Sequence, residues 1–469
     1  VKESLINAPQ RALDGFGQSA RAACRVLEPP VLEVRALFAQ AERENMRVGF
    51  RGSGRSYGDP AINARELVLD LTRWNRVLSW DQGSGVVEVE PGVTIGDLWR
   101  HTLPDGYWPA VVPGTMAPTL GGCLAMNIHG KNNFRAGPIG DHVVDFDLLT
   151  PSGQLLRCSR EQNAEVFRAA IGGLGLLGLF TRIRLRQTPV RSGQLHVQQL
   201  SAATLDETFA LFEERWGDSH YLVGWLDGLA GGRALGRSVV HQANYIEEEG
   251  STAKETLRVE RQGLPSRLFG VPRGQLWRFM KPLTNDVGLR ILNAGKYWSA
   301  ALKPWGHSYR QSHVAFAFLF DYLPNWRRIY EPRGFIQVQP FVPAAVAKEA
   351  FREILMLCRS RGMPPYLVVL KRHRPDDFLL SHAVDGYSLA MDFPLPASRE
   401  KLWALGREIT DRVLERGGKF YFAKDSLLRS KDVERMFGPE RLAAFRSLRQ
   451  RFDPKGILSS DLSRRVGLA

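Results

Sequence analysis

Three glycine-rich stretches between residues 51 and 178 constrain this chain more than anything else in it. The first reads Arg51-Gly52-Ser53-Gly54-Arg55-Ser56-Tyr57-Gly58-Asp59. The second runs from Pro113-Gly114-Thr115 to Gly121-Gly122, and the third from Gly172 to Gly178. Glycine lets the main chain turn through positive φ and bring its N–H groups close to a ligand. Successive N–H groups facing one concavity form an anion nest, and Arg51 and Arg55 add positive charge around it. The expectation is a loop that grips a pyrophosphate without a helix-opening P-loop. A polar surface turn explains the first stretch equally well when it stands alone. Its repetition in two further stretches favours a ligand.

The surrounding pattern places these loops. Pro29-Pro30 opens a helix with Val34, Leu37, Phe38 and Ala41 on one face. Val86 to Val89 reads as a strand closed by Pro91-Gly92, and Ile95 to Leu103 as a short helix. Gly121 to Met126 is a helix of small residues, against which either a flat ring or another helix could lie. Next comes Asn127-Ile128-His129-Gly130-Lys131-Asn132-Asn133, a dense polar cluster in which His129 is either functional or a hydrogen-bonded structural histidine. Val143 to Thr150 and Gln154 to Cys158 read as a hairpin.

Gly173-Leu174-Gly175-Leu176-Leu177-Gly178 matches GxGxxG, yet it follows the helical stretch 163–170 and precedes the strand-like stretch 179–185. A dinucleotide fingerprint needs the reverse order, so an NAD site of that type is excluded.

From about Leu195 strand-like runs (195–199, 221–226, 335–339, 366–370, 387–393) alternate with helices at 345–361 and 400–416. This pattern predicts a second α+β unit on an antiparallel sheet. Between them, 258–310 mixes basic residues with Leu268, Phe269, Trp277, Phe279, Trp298 and Trp305. That mixture suits a membrane interface, or a surface excursion whose aromatics pack inward. Near the end, Tyr421-Phe422-Ala423-Lys424-Asp425 places a Lys where a low-dielectric neighbour would lower its pKa. A surface Lys–Asp pair is the plain alternative.

The 63 basic against 49 acidic residues give a net charge of +14, which implies an anionic partner. No zinc-finger, KH or RRM signature accompanies the charge, so nucleic acid is not expected. Four cysteines, Cys24, Cys123, Cys158 and Cys358, lie far apart without CxxC spacing, and neither a disulfide framework nor a metal site is expected. No stretch reads as a signal peptide or a transmembrane span. Residue 1 is Val, so the natural start is expected to lie upstream.

Together and in this order, the motifs resemble the FAD-binding oxidoreductases of the vanillyl-alcohol oxidase type. The resemblance runs over nearly the whole chain and is strongest to members that act on polyprenyl-phosphate sugars. It implies an α+β, two-domain fold: an FAD-binding domain over 1–190, to which 417–469 returns, and a substrate-binding domain over 191–416 with a basic-aromatic excursion at 258–310. Arg51, Gly52, Ser53, Gly54, Arg55, Ser56, Tyr57, Pro113, Gly114, Thr115, Gly121, Gly122, Asn127, Gly178 and Tyr421 would bind the cofactor. Lys131, Gln337, Gln339, Lys371, Ser388, Ala390 and Asp392 would face the substrate, and Lys424 and His129 would carry the chemistry. Asp453-Pro454 and the closing Ser460-Asp461-Leu462, with Arg464-Arg465 after it, resemble the family's return.

Relatives often attach FAD through a His in the first loop or a Cys before Pro-Thr. Here Arg55 and Ala117 stand at those places, which implies non-covalent FAD. Polyprenyl-sugar members carry Cys two residues before Asp-Phe-Pro and Asn two residues earlier; this chain has Ala390 and Ser388.

The implied reaction is oxidation of the 2′-OH of a polyprenyl-phosphate pentose to a ketone. That would be the first half of a 2′-epimerisation completed by a short-chain reductase, at a peripheral membrane site in the cytoplasm or envelope. The alternatives are a soluble sugar, aldonolactone or alditol oxidase, and a non-enzymatic flavoprotein or basic membrane-binding module.

Overall fold

A computed structural model describes residues 4–247, 250–268 and 270–469. Phe269, one aromatic of the basic stretch, lies outside them.

The first sheet has the order Gln10–Asp14, Arg21–Leu27, Leu67–Asp70, Val48–Arg51. Its last three strands are parallel, so a crossover must join Arg21–Leu27 to Val48–Arg51. The helix Val34–Arg43 supplies it and buries Val34, Leu37, Phe38 and Ala41, as the spacing predicts. The first glycine loop leaves the end of Val48–Arg51. A second, antiparallel sheet orders Val77–Asp81, Val86–Val89, Leu179–Arg186, Val143–Leu149 and Leu155–Ser159. The GxGxxG run lies between the helix Ala164–Ala170 and the strand Leu179–Arg186, the order that excludes a dinucleotide fingerprint.

The third sheet is nine-stranded and antiparallel, drawn from residues 194–420. Helices Leu205–Arg215, Ala344–Ser360 and Glu400–Glu415 pack on one face, burying Phe212, Phe351, Ile354, Leu405 and Ile409. The other face carries the side chains described below. The strand expected at 335–339 is two short strands, Phe335–Val338 and Pro340–Pro343, both paired to Gly386–Pro394. Gln339 sits at the break.

Two strands of this sheet and one helix packed on it go beyond the sequence reading. Ser238–Tyr245 is an interior strand, and Leu205–Arg215 is a helix. His307–Ser312, whose first four residues fall in the excursion expected at 258–310, is instead the edge strand beside Gln194–Ala202. Its residues, His-Ser-Tyr-Arg-Gln-Ser, carry no apolar alternation, and none of them is fully buried. The other end of that stretch is also tied in: Gln262 is buried and donates to the Gly193 carbonyl at 2.8 Å.

The closing residues touch both regions. Lys419–Phe420 pairs with Pro340–Phe341 in the large sheet. After the helix Ser430–Phe452, kinked at Gly438, the chain runs beside Val48 on the first sheet.

Candidate active site

A cavity of about 750 Å³ runs between the glycine loops and the face of the large sheet that those helices leave free. Among the described residues, no protein acceptor takes up the N–H groups of Ser53, Gly54, Arg55 or Ser56. They form the expected nest, and Gly54 holds the left-handed φ of +63° that the turn requires. A Cβ on Gly52 would fall 2.0 Å from Thr119 Oγ1, so the first and second stretches meet without room for a side chain. Arg55 lines the cavity, but Arg51 does not. The Arg51 guanidinium supports the loop from behind, donating to the carbonyls of Asp14 at 3.3 Å and Ala61 at 3.1 Å.

Pro113, Gly114 and Thr115 line the next wall, with Gly121, Gly122 and Ala125 of the helix Leu120–Ala125. Residues 319–327 cover this turn. Asp321 accepts from Thr115 Oγ1 at 2.7 Å and from the Met116 N–H at 2.8 Å, and the Phe320 N–H donates to the Gly114 carbonyl at 3.2 Å. Gly178 lines the cavity too. Asn127 does not: it is buried at a φ of 45°, and its Oδ1 accepts the Gly140 N–H at 3.1 Å.

Lys424 comes from the short helical turn Phe422–Lys424. It forms no surface pair with Asp425, which accepts instead from Arg465 at 2.8 Å. Its Nζ lies 3.4 Å from the centroid of the Tyr57 ring. The Tyr57 N–H donates to the Ala423 carbonyl at 2.8 Å, and a Cβ on Gly58 would fall 2.0 Å from the Asp425 carbonyl. The glycine loop and the Lys424 turn are thus packed backbone to backbone. Arg465 joins them, donating to both oxygens of Asp59 at 3.0 and 2.7 Å as well as to Asp425.

Burial pushes the Lys424 ammonium from 10.5 down to about 7, against the pull of Asp392. Burial likewise raises the Asp392 carboxyl to about 7, against its hydrogen bond from Gln337 and the charge of Lys424. Lys371 and Lys131 also line the cavity, lowered by burial to about 8 and about 7. Lys131 donates to the Phe316 carbonyl.

A hydrogen-bond chain of fixed polarity runs beneath the other end. The Arg374 N–H donates to Asn133 Oδ1 at 3.3 Å. The same oxygen lies 3.0 Å from His373 Nδ1, so that nitrogen carries the proton. His373 Nε2 must then accept, and Ser388 Oγ donates to it at 2.7 Å. The Ser388 oxygen is left to accept from Gln339 Nε2 at 3.2 Å. The second N–H of Gln339 points at His129 Nε2, 3.1 Å away. His129 is therefore protonated on Nδ1, a buried atom with no partner among the described residues. Its ring stays neutral: burial first, then the charges of Lys371 and Lys424 and two neighbouring imidazoles, hold it well below 6.5.

Of the residues expected at the substrate, Gln337, Gln339, Lys131, Lys371 and Ala390 line the cavity. Ser388 and Asp392 are fully buried behind it and orient the residues that do. Tyr421 lines the cavity beside His129, their ring centroids 5.2 Å apart. Sequence reading missed His373, His382 and Asp321, and it gave Asn133 and Arg465, though both lie in motifs it singled out, no role of their own. Strand parity signals one of them, since His373 lies two residues beyond Lys371 on the same strand face. The others come from loops or distant helices and carry no local mark.

These features fit a flavin dinucleotide. The free N–H groups suit its diphosphate, the wall of small residues suits its planar ring, and the partnerless His129 Nδ1–H and Lys424 amine suit a polar edge.

Such a site is that of an FAD-dependent oxidoreductase. The chain belongs to the FAD-dependent oxidoreductases of the vanillyl-alcohol oxidase type. Residues 30–159 match the FAD binding domain family. The chain is 30% identical over 478 residues to decaprenylphosphoryl-beta-D-ribose oxidase of Mycolicibacterium smegmatis, covering 98% of each. It is 29% identical to an uncharacterized protein of the mprA 5′ region in Streptomyces coelicolor, covering 80% of this chain and all of that one. It is 26% identical to L-gulonolactone oxidase of Bos taurus, covering 91% of each.

Proposed function

We propose that the protein oxidises the 2′-OH of a polyprenyl-phosphate-linked pentose to a ketone, using non-covalent FAD. The carrying observation is the charge of the cavity, taken with the end-to-end likeness to an oxidase of such a sugar. Arg55, Lys131, Lys296, Arg327, Lys371 and Lys424 line it. Asp321 is the one carboxylate among the described lining residues, and it is engaged by Thr115 and Met116. A cavity so charged favours a cofactor diphosphate and a phosphorylated substrate together.

Bound FAD supplies the two-electron acceptor for the hydride of the alcohol carbon. Lys424, whose ammonium burial disfavours, takes the hydroxyl proton, and the charge of Asp392 opposes that shift and so favours the ammonium formed. His129 cannot take that proton: Nδ1 carries one already, and Nε2 accepts from Gln339. It offers Nδ1–H to orient an oxygen of the ligand. Gln339 and Lys371 hold the sugar and its phosphate.

In this reading residues 1–190 with 417–469 form the FAD lobe and 191–416 the substrate lobe. The ketone is a substrate for a short-chain reductase of opposite stereochemistry, which completes a 2′-epimerisation in cell-envelope sugar synthesis. The lipid-linked substrate places the protein at a membrane periphery, and no helix among the described residues is long and apolar enough to cross one.

The lactone oxidase likeness supports a second reading, a soluble sugar, aldonolactone or alditol oxidase. Anaerobic titration separates the two. Bleaching of the bound flavin by a polyprenyl-phosphate pentose, and not by free sugars or lactones, is the expected result; the converse supports the second reading. Acid precipitation should leave all the flavin in the supernatant.

A further inference from the structure

Among the described residues, nine of the sixteen exposed large hydrophobic side chains fall between Phe279 and Leu319. The helix Asp286–Ala301 explains the concentration, because it is apolar on opposite faces. Its inner face buries Tyr297 and Ala300 against Trp225 and Val239 of the large sheet. Val287, Ile291, Trp298 and Leu302, spaced i, i+4, i+11 and i+15, form one outward stripe, each between 53% and 81% exposed. Phe279 and Leu283, just before the helix in the chain, and Trp305, just after it, are exposed as well.

Cations frame this surface. Residues 267–303 contain seven lysines and arginines and one acid, Asp286, which accepts from the Tyr366 hydroxyl at 2.8 Å. Arg267, Arg278, Lys281, Arg290 and Lys303 are exposed. The surface also adjoins the cavity. Lys296 of the same helix lines the cavity with its Nζ 4.2 Å above the Trp225 ring, and Leu319 both lines the cavity and is exposed.

We propose that this face seats the protein on an anionic bilayer, with the cavity mouth opening at the level of the headgroups. An outward apolar stripe with aromatic residues and flanking cations is the chemistry of an interfacial helix. A contiguous exposed apolar surface of this kind calls for a partner. A second copy is the poorer occupant, since a two-fold contact would set the same cations against one another. Negative headgroups complement them. The proposal deepens the lipid-linked reading of the substrate, but its test needs no substrate.

The test is cosedimentation of the flavin-loaded protein with vesicles of equal parts phosphatidylglycerol and phosphatidylcholine. Expected are binding to these vesicles, at least tenfold weaker binding to phosphatidylcholine alone, and loss of binding as salt rises. Ile291→Glu with Leu302→Glu should lower vesicle binding at least tenfold while the flavin spectrum stays unchanged. Trp305→Ser, outside the helix, serves where that pair fails to fold, and should lower it several-fold. Equal vesicle binding by parent and variants overturns the proposal. So does a parent that ignores vesicles, whether or not light scattering shows a dimer that the variants dissociate. Bleaching by a detergent-solubilised polyprenyl-phosphate pentose should be equal in parent and variants, and its absence in both counts against the substrate reading alone.

Discussion

At the scale of single residues, the site turns on a lysine that burial has made able to exist without its charge. Lys424 stands over an aromatic ring, in reach of one carboxylate's field and repelled by Lys371. Replacing Lys424 with Ala should leave flavin bound and slow its bleaching by substrate about 10²- to 10⁴-fold, the usual worth of a placed proton acceptor. In the parent, the bleaching rate should rise with pH through about 7, as the amine loses its proton. Stopped-flow absorbance measures both, and near-normal rates in the variant would retire the assignment.

Ser388 is the second residue to test. It has no contact with the cavity, yet it fixes which way Gln339 faces. Ser388→Ala leaves a buried amide N–H and an imidazole nitrogen without partners, at about 1–3 kcal/mol. Thermal unfolding should report that loss, and substrate affinity should fall with it. Lys424, Gln339 and Lys371 were legible in the sequence through resemblance. His373 was not: the run Leu370-Lys371-Arg372-His373 is polar and reads as the end of a strand, whereas the strand continues through it, with His373 hydrogen-bonded to buried partners and Arg372 paired outward with Asp385.

At the scale of elements, the two segments that make the site are clamped by one arginine. Arg465 neutralises Asp59 behind the glycine loop and Asp425 beside the Lys424 turn. Arg465→Ala strands two buried carboxylates, and a loss of about 3–5 kcal/mol follows from removing one partner of such a group. Urea titration should show it, together with faster release of flavin. The glycine loops, the helix Val34–Arg43 and the hairpin 143–159 were legible because their periodicity or turn chemistry is local. The edge strand His307–Ser312 was not, because its pairing with Gln194–Ala202 leaves no pattern in its own side chains. The clamp was equally hidden, since nothing in the run Ser463-Arg464-Arg465 marks which arginine reaches a loop 406 residues away.

At the scale of the whole molecule, burial governs the response to acid. His129, His142, His241, His313, His373 and His382 are all held below 6.5, chiefly by desolvation. As pH falls below 6.5, each of these imidazoles takes up a proton in the unfolded chain more readily than in the folded one. The unfolded state then binds more protons, so stability falls as pH falls. Asp376, Asp392, Asp453 and Asp461, all raised by burial, act in the opposite sense but are four groups against six. The unfolding midpoint should therefore drop from pH 6.5 to 5 by more than in a His373→Gln variant, as followed by circular dichroism. A flat profile would contradict the assigned burial.

The grip of Ala423 and Arg465 on the first glycine loop also bears on the order of synthesis. The loop leaves the ribosome early, but the backbone that closes over it follows only after several hundred more residues have been made. A nascent chain therefore cannot trap the dinucleotide as its first sheet forms. Colour should appear only when translation is nearly finished, and a product cut short before residue 423 should emerge pale, however well its opening sheets have folded.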